Sequence, residues 1–153
     1  MTAGMMTACA YAQDLTFLKT INLNSKTDQM RVIAITILSE SRGEGDGGIR
    51  RCGQVILNRA RKRHSEAFRE CLRPLQFSFW NHAPSRARCL KLMQSPQADL
   101  ALYLAADIMA GKDVLCGFEA THFHSGASPA WAAAAPSMVF VEQYRGHRFY
   151  REL

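Results

Sequence analysis

The sequence predicts an α+β domain, helical in its first two thirds and closed by a small C-terminal antiparallel sheet or hairpin. Three observations carry that prediction. Apolar residues recur at helical spacing in stretches around residues 30–38, 49–60 and 100–108. After Gly117 the pattern changes to alternation, and two alternating runs flank Arg145-Gly146, which is a hairpin signal. At 153 residues, with 48% hydrophobic and 21% charged, the chain has the size and composition of one globular domain. Residues 1–27 read as leader and linker, and residues 28–153 as the folded domain.

Each element follows from its residues. Thr27 or Asp28 caps a helix whose Met30, Ile33, Ala34, Ile37 and Leu38 fall at i, i+3, i+4, i+7 and i+8. Gly43, Gly45, Gly47 and Gly48 end it in a loop. A second helix, about Ile49 to Lys62, gathers Cys52, Val55, Ile56 and Ala60 on one face and arginines on the other. Ser65–Phe68 reads as a short turn stopped by Pro74, and Gln76–Trp80 as an aromatic loop. Ser95 as cap and Pro96 at the first helical position open a helix through Leu100, Tyr103, Leu104 and Ile108, closed by Gly111. Ala120–His124 reads as a short strand and Ser125–Pro136 as a loop. Met138–Tyr144 and His147–Tyr150 then form the hairpin.

The bulk chemistry narrows the environment. A net charge of +6 and a pI near 9.3 favour an acidic partner, although the arginines of the second helix also read as a solvated face. Setting Cys9 aside, Cys52, Cys71, Cys89 and Cys116 are enough for two disulfides, which points to an oxidising compartment; reduced, buried cysteines are the other reading. Ala10-Tyr11-Ala12 fits an A-x-A cleavage site, read here as the remnant of an export signal or as an unstructured leader. No apolar run reaches the ~18 residues of a membrane span.

Glu40 is the first candidate catalytic group. It shares an edge of the apolar face with Ile33 and Ile37, and a carboxyl pressed against aliphatic groups resists ionisation. That is the property a general acid needs; the alternative is an exposed carboxylate paired with Arg42 or Arg31. Glu44 is the candidate supporting or second carboxylate. His122 and His124 alternate with Phe123, so both imidazoles face one side of a strand, with His147 or His82 as the nearest candidates for a third metal ligand. Gln76, Phe77 and Ser78, and separately Trp131, offer aromatic surface edged by polar groups, as a sugar cleft requires. Nucleotide-binding, serine-hydrolase and zinc-protease motifs are absent.

In order along the chain, Ser39-Glu40-Ser41-Arg42-Gly43-Glu44, Gln54-Val-Ile-Leu-Asn-Arg59, Cys71 with Gln76-Phe-Ser-Phe-Trp80, Ala120-Thr-His-Phe-His124, Pro129-Ala-Trp131 and Gly146-His147-Arg-Phe-Tyr150 resemble the SleB/CwlJ-like cell-wall hydrolases. The likeness spans about residues 30 to 150. Serines replace the two alanines that flank the glutamate in the family pattern A-E-A-R-G-E.

The resemblance implies a lysozyme-like, lytic-transglycosylase-related domain that cleaves peptidoglycan glycan strands with Glu40 as the essential acid. The expectation is of no cofactor or metal, no nucleic-acid partner, and a monomer that is exported and periplasmic or associated with the cell wall, with a phage lysin as the other setting. Cleavage by a lytic transglycosylase is favoured over a simple muramidase, because none of Glu44, Asp46 and Glu119 is a convincing second carboxylate. Two further readings are a metal-dependent amidase using His122, His124 and His147, and a non-catalytic wall- or nucleic-acid-binding module using the arginine-rich helix.

Overall fold

The computed structural model describes residues 22–74, 76–81, 85–133 and 137–153. The leader at 1–12, Cys9 and His82 lie outside those residues. Helix α1 runs over Lys26–Ser41 and passes through a 3₁₀ turn, Arg42–Glu44, into α2, Gly45–Arg63. Three shorter helices follow, α3 (Ala67–Leu72), α4 (Ser78–Asn81) and α5 (Arg86–Met93), then the longer α6 (Ala98–Met109). Strands β1 (His122–Ser125), β2 (Met138–Tyr144) and β3 (His147–Glu152) form an antiparallel sheet in the order β1-β3-β2. The α+β expectation holds, with helices first and the sheet last.

Helix α1 differs from an amphipathic surface helix. Every residue from Arg31 to Leu38 is buried, so α1 forms the axis on which α2, α3, α5 and α6 pack. Even Thr36 is satisfied inside: its hydroxyl donates to Val32 O and accepts from Trp80 Nε1 at 2.8 Å. That bond draws the aromatic segment inward, and Phe77 and Phe79 are buried with it. The helix cap is Ser25, whose side chain accepts from Asp28 N, rather than Thr27 or Asp28.

The glycine run is helix, not loop. Residues 45–48 form the first turn of α2 because other parts of the chain press against them. A Cβ on Gly47 would lie 2.3 Å from the Tyr144 hydroxyl, and one on Gly48 would lie 2.3 Å from Glu44 Cβ. Gly48→Ala is therefore expected to lower unfolding free energy by about 1–3 kcal/mol. Gly43→Ala, with nothing within 4 Å of the new methyl, should change it by no more than ~0.5 kcal/mol. Denaturant titration of the two variants checks the contrast.

Two smaller differences have local causes. Ser95–Gln97 fold as a turn, so α6 begins at Ala98. Helix α5 was not foreseen; Ser85 caps it by accepting from Arg88 N. The four cysteines at 52, 71, 89 and 116 are free thiols rather than two disulfides, three of them buried as small apolar groups and Cys116 exposed. Among the described residues no helix is long and apolar enough to cross a membrane.

Candidate active site

Helix α2 connects the catalytic candidate to the sheet. Gln54 Oε1 accepts the N–H groups of Val114 and Leu115, and its amide donates to Asn58 and Asp113. Asn58 donates to the carbonyls of Phe118 and Ala120 at 2.8 and 2.9 Å. Arg59 then donates from Nε to the carbonyl of Thr121. Three side chains of one helix thus hold the strand-leading segment 113–121 against α2, and the charge of Arg59 acts on both Glu40 and His122.

Arg59 is the residue sequence reasoning missed. The basic composition of α2 reads as a solvated face, yet Arg59 is 5% exposed, with its guanidinium carbon 4.9 Å from the centre of the Phe77 ring. Its Nη1 has no hydrogen-bond partner among the described residues. Its neighbours on that face are also put to use: Arg51 pairs with Glu142 and lies 3.8 Å from the Tyr144 ring centre. The available signal is spacing: Arg59 falls at i+7, i+4 and i+3 from Cys52, Val55 and Ile56, on the buried face of α2.

Glu40 occupies the last turn of α1, half-buried. Burial raises its pKa above the ordinary 4.5, and the positive charge of Arg59 opposes that rise. The buried aliphatic helix disfavours the carboxylate, while the guanidinium stabilises it once formed.

His122 and His124 face one side of the sheet, as their alternation predicted. Both rings contact Trp131, with centroids 5.3 and 5.7 Å apart, and His124 stacks on Tyr150 at 5.6 Å. Burial first, and Arg59 second, lower the His122 pKa to about 4, so its imidazole is neutral near pH 7. Thr121 Oγ1 meets His122 Nδ1 at 3.0 Å and accepts the Glu152 N–H at 2.9 Å. Between pH 6.5 and about 4 the unfolded chain protonates this imidazole and the folded protein does not. Stability should therefore fall as pH drops through that window, with His147, whose pKa burial also lowers, adding to the fall. Thermal melts of His122→Asn should show a shallower pH dependence than wild type.

His147 stands apart from the pair. It is the register partner of Ser125, and it packs on Phe123 at 5.0 Å, so it points to the opposite face of the sheet from His122 and His124. The three-histidine metal arrangement is corrected on that ground: strand parity keeps the rings from converging on one ion. Among the described residues no group of three or more metal-binding side chains is brought together.

The remaining candidates take different places. Glu44 Oε2 accepts the Gly146 N–H at 3.1 Å, tying the β2–β3 turn to the start of α2. Phe77, 2% exposed, backs Arg59 from within the core instead of presenting a free face. Gln76 is half-buried and Ser78 exposed where α4 begins. A pocket of about 430 Å³ is lined by Asn58, Arg61, Thr121 and Arg151, and Glu40 does not line it.

The profile of the Cell Wall Hydrolase family matches residues 43–150, most of the folded chain. The chain belongs to the Cell Wall Hydrolase family. Neither a curated protein nor a solved structure matches it. This cell wall hydrolase is thus a wall-acting enzyme, and membership supports a peptidoglycan-degrading function. The match takes in Glu44, the Gln76–Ser78 segment and the histidine strand, and it begins three residues after Glu40.

Proposed function

We propose that this cell wall hydrolase cleaves the glycosidic bond between N-acetylmuramic acid and N-acetylglucosamine, acting as a lytic transglycosylase with Glu40 as the single proton donor. The observation that carries the reading is the burial-raised pKa of Glu40 beside the buried Arg59 cation. The supply of second carboxylates argues in the same direction. Glu44 is engaged by Gly146, and Glu119 lies 3.7 Å from Arg151.

In the reaction, protonated Glu40 gives its proton to the bridging oxygen, and the bond from that oxygen to the muramic acid C1 breaks. The electron pair leaves with the departing sugar. Arg59 then stabilises the Glu40 carboxylate, which accepts the proton of the muramic acid 6-hydroxyl as that oxygen bonds to C1. The product is a 1,6-anhydro end, Glu40 regains its proton, and no water is consumed. Because the nucleophile belongs to the substrate, one carboxyl group suffices.

In this reading His122 and Trp131 contact the sugar from the sheet, with His124 packed behind them on Trp131 and Tyr150, and Gln76 and Ser78 supply further polar contacts. Phe77 contributes through Arg59, and His147 is not in direct contact with sugar. The enzyme works as an exported monomer without a cofactor. Mass analysis of fragments released from purified peptidoglycan tests this. Anhydro-ended fragments are expected; intact glycan strands with severed peptides would identify an amidase instead.

A further inference from the structure

One face of the sheet carries a row of rings that runs from His122 through the buried Tyr150 to an exposed Phe140, whose ring has no part in the chemistry proposed at Glu40. In register across the three strands, His122 pairs with Tyr150, and Tyr150 pairs with Phe140, so the three side chains share one face. Tyr150 contacts Phe140 at 5.7 Å and Trp131 at 5.5 Å, which makes the row continuous with the Trp131–His122 pair. At its far end Phe140 is 48% exposed, on a strand at the sheet edge. An exposed phenylalanine of that kind has no role in the core, which lies on the other face around Val55, Phe118 and Phe149.

Arg148 completes the far end. Its guanidinium carbon lies 4.6 Å from the centre of the Phe140 ring, and it is held there by Gln143 Oε1 at 3.0 Å and the Tyr150 hydroxyl at 3.4 Å. Those bonds use two of its five N–H donors and leave the others for a ligand. Apolar ring surface edged by fixed donors suits a pyranose ring with hydroxyl and acetamido groups. Two strand spacings separate His122 from Phe140, roughly 10 Å, the scale of two linked sugar rings.

We infer that Phe140 and Arg148 form a distal glycan subsite, which holds an N-acetylhexosamine ring of the same strand whose scissile bond lies near Glu40. This rests on the proposed glycosidase reading and adds to it a preference for long strands over disaccharides. Because the row is continuous with His122, a sugar contact in that reading, the occupant inferred is glycan.

The test is calorimetric titration of peptide-free glycan strands, and of the disaccharide, into Glu40→Gln and into the same variant carrying Phe140→Ala or Phe140→Trp. Loss of the Phe140 ring should weaken long-strand binding about three- to tenfold, and the disaccharide much less. Phe140→Trp should keep the long-strand affinity. Unchanged long-strand affinity in Phe140→Ala overturns the subsite, as does an equal loss for both ligands or an absence of strand binding by Glu40→Gln. A failure of the Glu40 assignment shows separately, as strand cleavage by Glu40→Gln. The Phe140 comparison is then read from wild-type-background kcat/KM on long against short strands, with the same two outcomes.

Discussion

Glu40→Gln is expected to lower the rate of glycan cleavage by roughly 10²–10⁴-fold, the contribution typical of a general acid. The amide keeps the volume of the side chain and removes only the transferable proton. The same variant should be more stable than wild type on the alkaline side. Because burial raises the pKa of Glu40 in the folded state, the stability it contributes is full below about pH 4.5 and is lost as pH rises through the folded pKa. Glutamine has no such titration, so the two proteins should converge in stability at low pH and separate as pH rises. A catalytic loss accompanied by a gain in melting temperature distinguishes a buried functional acid from a structural carboxylate.

Arg59→Met should produce the second largest effect. It removes the charge that stabilises the Glu40 carboxylate and leaves the Thr121 carbonyl without its donor. The rate should fall about 10²-fold, by the measure of other preorganised electrostatic groups, and stability by about 1–3 kcal/mol. The pH profile separates the two roles. Without the guanidinium the Glu40 pKa rises further, so the alkaline limb of kcat/KM, where the acid loses its proton, should move to higher pH. Arg59→Lys keeps the charge and should leave that limb near its wild-type position even where the rate falls.

Much of this architecture could be read from periodicity. The spacing of Ile33, Ile37 and Glu40 places the carboxyl at the edge of an apolar helix, and the alternation of His122 and His124 places both rings on one face. Those inferences need only local geometry, and they hold. What stayed hidden depended on distant parts of the chain. Gly47 and Gly48 read as loop because glycine disfavours helix, yet Tyr144 lies against both and occupies the space a side chain on Gly47 would fill. Arg59 read as solvated because its partners, the Thr121 carbonyl and the Phe77 ring, lie far along the sequence. His147 seemed a natural third histidine until the pairing of β1 with β3 fixed its parity. The Phe140 row likewise requires the strand order β1-β3-β2, which no single strand reveals.

Because the family match begins at residue 43, the role of Glu40 takes a test of its own. Side-by-side digestion of purified peptidoglycan with wild type and Glu40→Gln, with the soluble fragments resolved by mass, tests it most directly. Wild type should release fragments ending in 1,6-anhydromuramic acid, and the folded variant should release none. Release of the same fragments by Glu40→Gln at a comparable rate would contradict the assignment of Glu40 as the proton donor.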